Sequence, residues 1–143
     1  TRVTRFDVST GTAIAQYAYP LDPITAPNGD ANGLSDLVAL DDDSFLAIER
    51  SHGTRNVARI YRASTAGADN VLDRPSLADA PPTAMTKSLV ADLSTMPQVQ
   101  HLDNVEGITL GPKLSDGRQV VVMVTDDNFS ADQTTQFYAF ALS

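Results

Sequence analysis

Two stretches of the sequence carry the same succession of short β-segments, and a chain built on such a repeat has few folds open to it. Gly33-Leu-Ser-Asp-Leu-Val-Ala-Leu40 aligns with Asn104-Val-Glu-Gly-Ile-Thr-Leu110. Ser44-Phe-Leu-Ala-Ile-Glu-Arg-Ser51 aligns with Gln119-Val-Val-Val-Met-Val-Thr-Asp126. Asn56-Val-Ala-Arg-Ile-Tyr-Arg62 aligns with Thr134-Thr-Gln-Phe-Tyr-Ala-Phe140. In each copy a polar turn precedes an apolar strand. That strand ends in charge, and a looped connection leads to a strand bearing aromatic side chains. Repeated meanders of this kind are the signature of a propeller or a stacked β array.

Apolar alternation at period two places the remaining strands. Val3 to Val8 and Thr12 to Leu21 flank the turn Ser9-Thr10-Gly11 and predict a hairpin. Prolines 20, 23 and 27, with Asn28-Gly29-Asp30 and Asn32-Gly33, predict a loop. Leu34 to Leu40, Ser44 to Ser51 and Asn56 to Ala63 form a meander, and Ser88 to Leu93 adds an outer strand. Val105 to Leu110 and Arg118 to Thr125 are joined through Asp116-Gly117, a strong hairpin signal. The second of these is almost continuously apolar, which predicts burial on both faces. Thr134 to Leu142 closes the chain. Ser64 to Lys87 is an excursion loop with one helical turn expected near Pro75 to Ala80. It reads as a surface insertion or as a lid beside a site.

The expected fold is all-β, a partial β-propeller-like assembly of antiparallel meander blades. Residues 1–32 end one blade, 33–93 form a second with its insertion, and 94–143 form the last. A closed propeller needs about four blades or more. The chain is therefore expected to be part of a larger domain, whose missing blades come from the remainder of that domain or from a second chain. Uncovered sheet edges would otherwise invite pairing. A small β-sandwich is the rival architecture.

Charge narrows the partners. Eighteen acidic residues against ten basic ones give a net charge of −8. Such a surface repels a phosphate backbone and argues against nucleic acid. No run of about 18 apolar residues suggests a membrane span. With no cysteine, disulfides, thiolate nucleophiles and zinc–thiolate sites are excluded. Sixteen of the acids are Asp, a turn residue. The two Glu, Glu49 and Glu106, lie instead among apolar neighbours, where a carboxylate must be paired, metal-bound or protonated.

Strand ends of neighbouring blades gather at one mouth of a propeller. Asp36, Glu49, Glu106, Asp126 and Asp127 are expected there as a convergent set, with Asp36 roughly at the position of Glu106 in the earlier copy. Converging carboxylates call for a cation. Glu49, Glu106, Asp126 and Asn128 are the expected ligands of a calcium ion, which takes roughly six to eight oxygens. Glu106 and Asp127 are the candidates for activating water. The competing expectation pairs Glu106 with Arg50 or Arg118 and leaves Asp126-Asp127-Asn128 as a solvated turn. Arg50 and Arg55, in Arg50-Ser-His-Gly-Thr-Arg55, are candidate anion holders. That run departs from the acid-phosphatase pattern, because Ser51 separates Arg50 from His52. His101 near Asp103 is a weaker candidate base. No Gly-x-Ser-x-Gly elbow, P-loop or dinucleotide fingerprint occurs.

Several of these runs together resemble one family. They are Asn104-Val-Glu-Gly-Ile-Thr-Leu-Gly-Pro112, Asp116-Gly-Arg118, Val124-Thr-Asp-Asp-Asn-Phe129 and Thr135-Gln-Phe-Tyr-Ala-Phe140. Gly33-Leu-Ser-Asp-Leu37, Phe45-Leu-Ala-Ile-Glu-Arg-Ser51 and Arg59-Ile-Tyr-Arg62 fit the same pattern. The sequence is similar to the C-terminal portion of the phytase-like domain family, "esterase-like activity of phytase". The resemblance implies a propeller-type fold and a bacterial protein that is periplasmic or secreted. It also implies hydrolysis of an ester or phosphate ester. Glu106, Asp126 and Asn128 fall inside the matching motifs. A non-catalytic propeller module for binding or scaffolding is the alternative.

Overall fold

The computed structural model describes residues 1–142 and contains nine strands in antiparallel sheets. The all-β class expected from the sequence is what the chain adopts. β1 (Arg2–Asp7) and β2 (Thr12–Ala18) form a hairpin. β3 (Ala31–Ala39), β4 (Ser44–His52), β5 (Val57–Ser64) and β6 (Thr86–Asp92) follow one another across a four-stranded sheet. β7 (Asn104–Lys113), β8 (Gln119–Asp126) and β9 (Phe137–Leu142) make a three-stranded sheet. Gly117, at φ +87°, turns β7 into β8, and Asp116 fixes that turn by accepting from Arg118.

β4 is deeply buried, and its two faces look at different sheets. Leu46 and Ile48 join Ala58, Ile60, Val105, Ile108, Val121 and Met123 in the larger core, between the second and third sheets. Ala47 joins Tyr19, Ala63 and Met85 in a smaller core toward the first hairpin. Alternation of side chains along the strand produces this division.

Two local expectations are revised. β8 is buried on one face only. Val121, Met123 and Thr125 are covered, whereas Val120, Val122 and Val124 stay half-buried, so its apolar run does not mark a doubly covered strand. The helical turn expected near Pro75 to Ala80 is absent, and that stretch is a series of bends. The one helical turn among the described residues is 3-10, at Leu93–Thr95. Asp92 caps it by accepting from Ser94 N–H at 3.1 Å. The excursion loop 65–85 runs along β2. Gln16 O accepts Val71 N–H at 2.7 Å, Gln16 N–H donates to Asn70 Oδ1 at 3.0 Å, and Ala18 O accepts Met85 N–H at 2.9 Å. The loop thus joins the hairpin to the second sheet. No helix is long and apolar enough to cross a membrane.

Candidate functional site

β3 and β7, the first strands of the second and third sheets, lie side by side. Above their junction opens a cleft of about 1000 Å³, with a side pocket of about 310 Å³. Arg50, His52 and Glu106 line both. The alternation of β4 explains why Arg50 is here. It continues the face of Leu46 and Ile48, which looks toward the third sheet. Its Nη2 lies 3.4 Å from Glu106 Oε1, and Asn104 Nδ2 donates to the same oxygen at 2.8 Å. Both bonds fall on Oε1, so Oε2 keeps its capacity to accept.

Glu106 is the extra residue of a β-bulge. The pairing with β8 jumps from Val105 to Gly107. β3 has the same irregularity, jumping from Leu34 to Asp36. Ser35, not Asp36, is therefore the counterpart of Glu106 in the earlier copy. Asp36 corresponds to Gly107 and turns to another task, accepting the backbone N–H of Ile108 at 2.9 Å. Bulges re-aim side chains and are over-represented beside functional sites.

Arg55, His101, Asp103 and Asn128 also line the cleft. Arg55 has no ion pair among the described residues. Asp30 on the rim meets His52 Nδ1 at 2.9 Å, and this contact holds the Asp30 carboxyl below its ordinary range. His101 Nε2 lies 3.5 Å from Asp103 Oδ2. Asp103 is buried, and burial alone would push its carboxyl up. The backbone N–H groups of Thr134 and Asn104, with His101 and Gln133, outweigh burial and hold it below the usual value. Tyr138 donates to His101 O at 2.8 Å, so the wall carrying His101 is tied to β9.

The expected carboxylate set is divided. Glu49 neighbours Arg50 in β4 and so points to the opposite face. There it is almost fully buried and pairs with Lys87. Asn32 Nδ2 and Asp22 N–H donate to its Oε2 at 3.1 and 3.0 Å. Lys87 also lies 2.8 Å from Asp22 Oδ1 and 4.3 Å from the Tyr61 ring centroid. Burial, reinforced by Asp22, pushes the Tyr61 hydroxyl up to about 12. Asp126 and Asp127 serve their own loop. Asp126 Oδ1 accepts Asn128 N–H at 3.0 Å, and Asp127 accepts Phe129 N–H at 2.9 Å and Thr135 Oγ1–H at 3.1 Å. Asn128 and Phe129 have φ of 49° and 55°, a left-handed conformation that these bonds maintain.

Glu49, Glu106, Asp126 and Asn128 therefore do not fit a single calcium site in this chain. Among the described residues no three His, Asp or Glu side chains gather as a metal-holding group. Asn128 does line the cleft with Glu106, while Asp126 and Asp127 are not among the lining residues.

The family described as "Phytase-like: Esterase-like activity of phytase" matches residues 1–129. The chain belongs to this family. No curated protein and no solved structure gives a significant match. The phytase-like match takes in Arg50, Arg55, Glu106, Asp126 and Asn128, whereas the Thr135 to Phe140 run and all of β9 fall outside it. The phytase-like family points to a hydrolase-like domain. Within it, sequence reasoning missed Ser35 and the Lys87–Asp22 pair. Ser35 was legible only through the repeat, once Gly33-Leu-Ser is set against Asn104-Val-Glu. Lys87 carried a weaker signal, as one of only two lysines in the chain.

Proposed function

We propose that the cleft between β3, β4 and β7 hydrolyses an ester or phosphate ester. The observation that carries this reading is the meeting of Glu106 with Arg50 at a cleft that Arg55 also lines. Arg50 and Arg55 hold the anionic or developing negative oxygen of the substrate. Glu106 takes a proton from the attacking water through Oε2, while Asn104 and Arg50 fix its carboxylate through Oε1. Water adds to the acyl carbon or phosphorus, the ester bond breaks, and the alcohol leaves with a proton. His101, held by Asp103, is the acid at this cleft that supplies that proton. No step of this reading runs through calcium. A periplasmic or secreted location belongs to the same proposal and rests on the family resemblance.

The test is hydrolysis of p-nitrophenyl acetate and p-nitrophenyl phosphate by the protein and by Glu106→Gln. The substitution keeps the shape of the side chain and removes the proton acceptor. A loss of about 100-fold or more in kcat is expected. Equal turnover by both proteins, or no turnover of either ester by the unaltered chain, refutes the reading in favour of a binding module.

A further inference from the structure

We propose that Lys87 and Asp22 join in an intramolecular amide bond, formed by loss of water with Glu49 carrying the protons. These side chains meet on the face of β4 turned away from the cleft and its hydrolytic chemistry. Lys87 Nζ lies 2.8 Å from Asp22 Oδ1 and also donates to Glu49 Oε1. One carboxylate is enough to neutralise an ammonium. The second, held against the same nitrogen, is what a condensation needs as its proton carrier.

Strand register assembles the group. Ala47 pairs with Tyr61, and Ala63 pairs with Lys87. Glu49, two residues beyond Ala47, therefore shares a face with Tyr61 and Lys87 across β4, β5 and β6. Asp22 enters from the segment between β2 and β3. Its backbone N–H donates to Glu49 Oε2 at 3.0 Å and so fixes it beside Lys87. The rings of Tyr61 and Tyr19 lie with their centroids 4.3 and 5.3 Å from Nζ and shield it from water. The Lys87 and Glu49 side chains are nearly covered, whereas Asp22 is 34% exposed, which gives the expelled water a way out.

The chemistry balances within the group and needs no other reactant. Glu49 takes a proton from the Lys87 ammonium, and the freed amine attacks Asp22 Cγ. The N–C bond forms. Two protons pass in turn from the nitrogen through Glu49 to Asp22 Oδ1, the C–O bond breaks, and water leaves. Tyr61 Oη–H donates to Asp22 Oδ2 and stabilises the charge that gathers there as the carbon becomes tetrahedral. A fixed amine beside its target raises the effective concentration far above that of any free reactant. Two charges held from water become one neutral amide, which relieves their desolvation cost. The usual rival reaction of an aspartate, attack by the next backbone nitrogen, is closed to Asp22, because Pro23 has no N–H. Lys87, followed by Tyr61, holds the Asp22 carboxyl below its ordinary value, so the chain folds with the ion pair and the amide matures from it slowly. In a chain without cysteine, the bond ties the segment before β3 to β6, the outer strand of the second sheet.

Intact-mass spectrometry of the full chain, followed over several days of incubation, tests this. A species about 18 Da lighter than the sequence, one water, is expected to accumulate. Tandem spectra are expected to place the loss in a branched peptide joining Lys87 to Asp22. Glu49→Gln removes the proton carrier and is expected to keep the full mass. Asp22→Asn preserves the side-chain shape and is expected to lose ammonia, about 17 Da, in place of water. Circular dichroism establishes that each variant folds, and the unaltered chain incubated in urea is expected to keep its full mass. A folded chain whose mass never changes overturns the bond. So does a water loss mapped to another site, such as Asp116-Gly117, or one that proceeds equally in Glu49→Gln.

Discussion

The Asp36 carboxylate on β3 accepts the backbone N–H of Ile108 on β7 at 2.9 Å, while its other oxygen accepts Leu37 N–H at 2.8 Å. One side chain thereby fastens the second sheet to the third, above the core that holds Leu46, Ile48, Val105 and Ile108. Asp36→Ala leaves both N–H groups without that acceptor. A destabilisation of about 1–3 kcal/mol is expected in urea unfolding. Asp79 is exposed and provides the control. A loss no greater than that of Asp79→Ala would mean the bond adds nothing to the seam.

On the opposite face of β4, Lys87 neutralises Glu49 in a nearly closed environment. Their side chains are 11% and 1% exposed. Lys87→Met strands the Glu49 carboxylate away from water and should cost about 3–5 kcal/mol. Removing both charges, in Lys87→Met with Glu49→Leu, should recover much of that loss, because no unpaired charge remains. Chemical denaturation of the two single variants and the double variant measures the coupling. Additive losses would show that the pair does not act as a unit.

These two examples also show what the sequence could reveal. The strands were legible because alternation at period two recurs along the chain, and the two copies reinforce each other. The same alternation implies that Glu49 and Arg50 face opposite ways, which separates Glu49 from Glu106. The bulges were not legible, since a single unpaired residue leaves no mark on a short apolar run. They set Ser35 rather than Asp36 opposite Glu106. The course of loop 65–85 was hidden for another reason: besides Arg2, which donates to Arg74 O, and Asn70, which accepts Gln16 N–H, it is fixed by backbone bonds to Gln16 and Ala18, which depend on the path of the chain. Asp126 and Asp127 looked like ligands because turn-forming and metal-binding aspartates have the same composition.

Asp103 makes stability depend on acid. Its carboxyl is held below the ordinary value of 3.8 in the folded chain. A depressed folded value means that the contribution is complete above 3.8 and is lost as pH falls through the lowered value. Tm should therefore drop on acidification, and Asp103→Asn should make the acid limb shallower, since one titrating group is gone. Thermal melts from about pH 6 to about pH 2 measure both slopes. Parallel acid limbs would exclude Asp103 as a contributor.

Gly107 gives a sharper test of the bulge that presents Glu106. A Cβ at this position would lie 2.7 Å from Val124 Cγ1 on β8. Val124 is β-branched and stiff at χ1, so it cannot easily turn away. Gly107→Ala should push β7 from β8 at the bulge, cost about 1–3 kcal/mol, and displace Glu106 from Asn104 and Arg50. Val124→Ala removes the colliding methyl. The double variant should then recover stability lost by Gly107→Ala, beyond the sum of the single effects. Turnover of the ester substrate should recover with it, because the geometry at Glu106 is restored. Recovery of stability without turnover would mean that Glu106 is not placed by this contact.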